Sequence, residues 1–426
     1  MKCRSVTKLS VSMVILLIFG ASIAPVIGAA NEKKALSALR KNLNDDFDQK
    51  ILGLMKQARL PSLSLGLIKN NSLVLYRGFG KYNLLTGKQP TNETIYAIGS
   101  ISKSITATAL MQLYEQGLFN LDEDVSIRLG FSLRNPKYPD VPITYRMLLA
   151  HQSSLFEQNI ESLSSLIDKI GIIRTVKMLI NFPFIPKILK EPYPMIKELL
   201  IPGGRIYMPE LWMDYPPGAE ANYSNLGYVI LGYLVELISN QSIEEYCLKS
   251  IFNPLNMKDT RFHPKEVDRR RLAALYEDWR IIRPIQLPQF DLLYFSPAGG
   301  IRSSVEDLSH FLIAHMNGGV YNGVRILNES TVNLMHTIQY PNSSYTPINT
   351  SFEMKFGLGW FYTTDENNDT WGGHTGGGPG CAAFMRVRVT DNKGFIAYYN
   401  RTGFNESERK AVIFIIQAIK EKLNEM

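Results

Sequence analysis

Ser100 and Lys103 stand three residues apart in the stretch Ala97-Ile-Gly-Ser-Ile-Ser-Lys-Ser104. On a helix that spacing puts both side chains on one face, about a turn apart. A serine hydroxyl is a poor nucleophile until a neighbour takes its proton. A desolvated lysine amine can be that neighbour, because burial disfavours its charged form. A Ser-x-x-Lys pair is common by chance, so it needs partners elsewhere in the chain. Tyr223-Ser-Asn225 brings a phenol and a carboxamide in a turn ahead of an apolar helix. His374-Thr-Gly-Gly377 sits at a strand edge, where glycines let a backbone approach a ligand closely. Together these stretches hold what acyl transfer needs: a nucleophile, a proton shuttle, and donors for a developing oxyanion.

Residues 35–58 carry Leu36, Leu39, Leu43, Phe47, Ile51, Leu54 and Met55 at helical spacing. Strands are expected at 62–68 and 73–78, around the turn composition Lys69-Asn-Asn-Ser72. The helix carrying Ser100 and Lys103 is expected to run to Gly117, a fitting C-terminal residue. A short helix follows near 143–155. The next stretch, 156–214, is rich in Ile, Leu, Pro and Lys, and its prolines prevent one long helix. It reads as a helical insertion, with an active-site wall, a lid or a membrane-touching surface as alternatives. Residues 226–239 are apolar on nearly all sides and predict a buried helix. Ser304 is an N-cap with Asp307 three residues later. The tail alternates strands at 356–362, 382–389 and 394–399 with a glycine-rich turn at 371–380. A last helix from near Asn405 is expected to bury Val412, Ile413, Ile416 and Ile419. Strands at both chain ends predict an α/β (α+β) fold. One sheet is built from both ends, and a helical region, about 105–290, is inserted between them.

The formal charge of +7 falls to +4 once Lys2, Arg4 and Lys8 of the leader are set aside. That is too mild for a nucleic-acid partner, and no basic run is interleaved with aromatics. Residues 1–30 are basic, then apolar, then small at Gly28-Ala-Ala30, the layout of a secretory signal. The uncharged span 9–30 is also long enough for an uncleaved membrane anchor. Either way an extracytoplasmic location is expected. Cys247 and Cys381, one helical and one at a strand start, do not imply a bridge. No metal or other cofactor is expected: His310 and His315 lack His-Glu-x-x-His spacing, and Gly376–380 lacks the lysine and helix of a phosphate loop.

The order and surroundings of the three motifs resemble the serine β-lactamase and D-Ala-D-Ala carboxypeptidase superfamily. Within it they resemble the class C branch, where Tyr-x-Asn takes the place of Ser-Asp-Asn. The resemblance spans roughly 45–420 and includes the phrases around His151, Pro217-Gly218 and Ala298-Gly-Gly300. It implies an antiparallel sheet flanked by helices beside an all-helical region, with the site at their junction. It also implies roles. Ser100 is acylated and Lys103 helps deprotonate it. Tyr223 relays the proton to the leaving group and later helps activate the deacylating water. Asn225 orients a substrate amide, while His374, Thr375, Gly376 and Gly377 line the substrate. The N–H groups of Ser100 and Gly377 form the oxyanion hole. One departure stands out: His374 occupies a place where β-lactamases usually have lysine, as in relatives resembling D-aminopeptidases, esterases and β-lactamase-related hydrolases. A histidine, largely neutral at pH 7, offers no permanent cation to a substrate carboxylate. The expectation is a secreted serine hydrolase acting on an amide or ester of a peptide or small molecule, with a peptidase of D-residue peptides or an esterase as its forms. The alternative is a catalytically silent relative with a binding or structural role.

Overall fold

A computed structural model describes residues 47–156, 192–205, 207–277, 284–347 and 352–426. The expected leader or anchor, the first part of the 35–58 helix and residues 157–191 of the proline-rich stretch lie outside the described residues.

The strands of the main sheet are β1 (Ser62–Lys69), β2 (Ser72–Gly80), β3 (Lys355–Phe356), β4 (Phe361–Thr364), β5 (Thr370–Gly378), β6 (Cys381–Arg388) and β7 (Lys393–Tyr399). They pair antiparallel in the order β2-β1-β7-β6-β5-β4-β3. The two chain ends therefore meet in mid-sheet, with Leu63 opposite Tyr399. The β1–β2 turn has Asn70 and Asn71 at φ 51° and 54°. A two-residue hairpin with right-handed twist needs positive φ at both positions, and asparagine tolerates it.

Alternation along the strands assigns the two faces. Leu63, Leu65 and Leu67 of β1, with Phe395, Ala397 and Tyr399 of β7, pack under two helices, α1 (Phe47–Gln57) and α5 (Glu406–Glu425). Fully burying each large side chain contributes about 1.5–3 kcal/mol. Asn405 caps α5 in a reciprocal box with Glu408. The buried stripe of α5 is Val412, Ile415, Ile419 and Leu423. Ile413 and Ile416 are only partly covered, so the expected face was rotated by about one residue.

On the opposite face β1 offers small residues, Ser62, Ser64 and Gly66. A Cβ on Gly66 would come within 2.6 Å of Val305, which opens the helix α4 (Val305–Met316). Ser304 caps α4 by accepting from the Asp307 N–H, as expected. Beyond lie the helices of the middle of the chain, including α2 (Ser102–Glu115) and α3 (Asn225–Ser239), together with two short strands, Leu275–Glu277 and Ile285–Leu287. Helix α2 is buried from Ser102 to Leu113. Its hydroxyls are consumed internally: Ser104 donates to the Gly359 carbonyl and Thr106 to that of Pro297. Gly117, at φ 70°, follows the helix as expected. Cys247 and Cys381 are both buried and unbridged.

Two expectations for the tail need correcting. The 356–362 strand is two strands, β3 and β4, split by a turn in which Gly359 has φ 78°. The glycine-rich 371–380 stretch is not a turn: nine of its residues and neighbours form β5, an interior strand.

Candidate active site

The serine sits just ahead of α2, in the single tight turn Gly99–Ile101, rather than inside the α-helix. Gly99 has φ 52°, a left-handed conformation that suits glycine. Ser102 clamps the turn by donating to the Gly99 carbonyl at 2.7 Å and accepting from the Ile301 N–H at 3.1 Å. Ser100 remains partly exposed, whereas Lys103, one turn on, is fully buried.

Lys103 Nζ lies 3.2 Å from Ser100 Oγ, 2.7 Å from Asn225 Oδ1 and 2.6 Å from the Ala298 carbonyl oxygen. The amide and carbonyl oxygens can only accept, while the serine hydroxyl can donate or accept. Charged, the amine meets all three with its three N–H donors; neutral, it gives two N–H bonds to the fixed acceptors and turns its lone pair toward the serine proton. The Ala298 carbonyl comes from the short helix Ser296–Gly299. Ser224, not Asn225, caps α3 by accepting from the Gly227 N–H at 2.9 Å, and Asn225 faces Lys103.

The ring of Tyr223 lies 4.9 Å from Lys103 Nζ. What holds Tyr223 is His151, whose role the motifs did not reveal. The His151 carbonyl accepts from the Asn222 N–H at 2.8 Å, and its Nδ1 accepts from the Ser224 N–H at 3.1 Å. Its ring lies 4.4 Å from that of Tyr223, tilted by 30°. His151 thus grips the Asn222–Ser224 turn at both ends and covers the ring between. Its own backbone is left-handed, at φ 58°. Burial, the charge of Lys103 and then that of His374 push its pKa well below the ordinary value, so it stays neutral. The polar phrase His151-Gln-Ser-Ser154 after a short helix was the sequence signal. A ring stacked on a residue 72 positions away cannot be read from spacing.

Strand β5 closes the site. β4 pairs only with residues 370–373, so residues 374–378 present their other edge to the serine turn. The approach is extremely close. A Cβ on Gly376 would sit 1.9 Å from the Ile98 carbonyl oxygen and 2.9 Å from the Ser100 nitrogen. One on Gly99 would sit 2.7 Å from the Gly377 nitrogen. The glycines are there because another backbone occupies the space of their side chains. His374 is buried beside Tyr223 and Phe361, with ring centroids 6.1 Å and 5.1 Å away. Its Nδ1 donates to the Thr375 carbonyl at 2.6 Å, which leaves Nε2 as an acceptor. Burial, with the charge of Lys103, depresses its pKa to about 3. Thr375, Gly376 and Gly377 are partly exposed along the strand. The structure thus brings together residues from all three motifs, and adds His151, Ser224, Ser102 and the Ala298 carbonyl.

The chain belongs to the Beta-lactamase family, whose profile matches residues 47–420. Protein flp of Staphylococcus aureus (strain MRSA252) is 25% identical over 347 residues, 81% of this chain and 60% of that protein. The chain thus spans less than two thirds of the length of this curated relative. A penicillin-binding protein homologue from Pyrococcus abyssi, described as octameric, superimposes with a TM-score of 0.64 at 25% identity, covering 87% of this chain and 76% of its own. D-amino acid amidase from Ochrobactrum anthropi SV3 shares the fold, with a TM-score of 0.62 at 20% identity over 89% of this chain and 99% of its own. The fold and family are those of serine hydrolases of the β-lactamase and penicillin-binding type.

Proposed function

We propose that this protein is an extracytoplasmic serine hydrolase that cleaves an amide or ester through an acyl-enzyme on Ser100. The observation that carries the reading is the buried Lys103 amine, 3.2 Å from Ser100 Oγ and held by two groups that can only accept. Ser100 Oγ attacks the substrate carbonyl as its proton passes to the Lys103 lone pair. The oxyanion is received by the N–H groups of Ser100 and Gly377, each worth on the order of 10²–10³ in rate. Collapse expels the leaving group, which takes the proton by way of Tyr223. Water then attacks the ester on Ser100, giving its proton back through the same groups and freeing the serine. Asn225 orients the substrate while also fixing the amine. The basic, apolar leader supports export.

His374 narrows the substrate. A neutral ring offers a hydrogen-bond acceptor where a lysine would offer a cation. Substrates without an obligatory carboxylate beside the scissile bond fit this site best. Amides and esters of D-residues are the first class to try, in keeping with the fold shared with D-amino acid amidase.

A fluorophosphonate probe should label the protein, and Ser100→Ala should abolish both labelling and ester turnover. Labelling that survives in Ser100→Ala places the nucleophile elsewhere. A second expectation concerns His151. His151→Asn tolerates the left-handed backbone but removes the ring over Tyr223. It should lower kcat on activated esters by about 10²-fold with KM little changed, because misplacing a reacting group by about 1 Å costs that much. A melting curve checks that the fold is kept, and an unchanged kcat would remove His151 from the positioning of Tyr223.

A further inference from the structure

We infer that His263, clamped between two carboxylates, is a positioning residue that sets one wall of the cleft, and that this wall admits an apolar acyl group. The inference rests on the acyl-transfer reading above.

The two ends of the β5 edge differ. At the His374 end stand Tyr223, His151 and Phe361. At the other end a Cβ on Gly378 would meet the tip of the Phe290 ring at 3.6 Å. Strand geometry separates the two ends by about 13 Å. The leaving group must face the proton-delivering end, so the acyl group runs toward Phe290. Leu292 joins that wall: a Cβ on Gly299, next to the Ala298 carbonyl that holds Lys103, would touch Leu292 at 3.4 Å. Ala97, Leu275 and Cys381 back Phe290 from behind. At the rim Leu293 is 50% exposed with its backbone left-handed at φ 48°. An exposed leucine in that conformation is strained and needs something to impose it.

Asp291 imposes it. Its Oδ1 accepts from the Leu293 N–H at 3.2 Å and pairs with His263 Nδ1 at 2.8 Å. His263 Nε2 faces Glu244, 3.5 Å away, on the helix Ile243–Cys247. Glu266 adds negative charge, and Arg302, beneath Asp291, donates to the Phe290 carbonyl. With Asp291 and Glu244 beside it, His263 has its pKa raised to about 9 and is a cation at neutral pH. The relay Glu244–His263–Asp291 thus ties the wall to the helical region.

Four proteins test this: wild type, His263→Ala, Phe290→Ala, and His263→Lys, which keeps a cation between the carboxylates. Each is given p-nitrophenyl acetate and p-nitrophenyl hexanoate, and amide hydrogen exchange is read at residues 290–295. Wild type should prefer the hexanoate by about tenfold or more in kcat/KM, the discrimination an apolar pocket gives. His263→Ala should lose most of that preference, through KM for the hexanoate, and should exchange faster at 290–295 alone. His263→Lys should recover part of both. Phe290→Ala should lose the preference with the latch intact. Exchange unchanged in His263→Ala overturns the latch. Faster exchange with the chain-length preference intact overturns the acyl wall. Faster exchange in a protein that hydrolyses neither ester upholds the latch and counts against the acyl-transfer reading instead.

Discussion

Gly376→Ala should silence the proposed hydrolysis while leaving the side chains of Ser100, Lys103 and Tyr223 in place. Its Cβ would lie 1.9 Å from the Ile98 carbonyl oxygen, and that backbone has nowhere to go. The Ile98 N–H is bonded to the Ile301 carbonyl, and the turn that follows is clamped by Ser102. Strand β5 must therefore withdraw by about 1 Å, taking the Gly377 N–H away from the oxyanion position proposed for it. Losing one such donor costs on the order of 10²–10³ in rate, and displacement of the strand adds a comparable penalty. Acylation by p-nitrophenyl acetate should fall by at least about 10³-fold. Gly378→Ala is the control. Its Cβ would meet Cys381 Sγ at 3.5 Å and Phe290 at 3.6 Å, both ordinary contacts, so the acetyl ester should be hydrolysed within a few-fold of wild type. Equal activity in both variants would mean that the two backbones are not in working contact.

The second large effect is on stability against pH. Five of the six histidines, His151, His310, His315 and His374, which are buried, and His336, which is half-buried, have depressed pKa values, desolvation being the main cause in each. Such a group favours the neutral form when folded but titrates near 6.5 when unfolded. The stability it contributes is present above about pH 6.5 and is lost as pH falls toward the folded value. For His336, depressed to about 4, that is on the order of 3 kcal/mol; for His374, depressed to about 3, it is larger. His263 has the opposite sign. Raised to about 9, it contributes stability that is full below about pH 6.5 and gone above 9. Asp307 and Glu236, raised by burial to about 6, soften the acid side. The denaturation midpoint should therefore peak near neutral pH, drop steeply below about 6 and decline gently toward 9. Chemical denaturation between pH 4 and 10 measures this, and a flat profile from 7 to 5 would contradict it. Since whole domains are stable by only 5–15 kcal/mol, mild acid should unfold the protein.

The candidate residues were legible because acyl transfer constrains both type and spacing. Ser100 and Lys103 one turn apart, and Tyr223 and Asn225 ahead of an apolar helix, can be read without coordinates. So could the meeting of the chain ends, which the alternating strands at 62–78 and 382–399 announce. What resisted reading was set by long-range contact. The run from Trp371 to Gly378 has almost no β-propensity, so it read as a turn. It is a strand because the Ser100 turn fills the space its side chains would need. Helix α2 has no apolar stripe, because it is covered on every side and its hydroxyls find carbonyls on other segments. Ser224 and Asn225 compete for the cap of α3 in sequence, and only Lys103, from far away, decides between them.

The pairing of β1 with β7 also dictates when this protein can exist. Asn400, just past β7, accepts from the Ser62 hydroxyl and N–H at the start of β1, a contact bridging 338 positions. A nascent chain cannot complete the middle of its sheet until the residues through Asn400 have left the ribosome. Loops of that length close slowly. Until then β1 is an unpaired edge of apolar leucines, open to any other strand. The same delay keeps the chain threadable, which would let the proposed export precede folding.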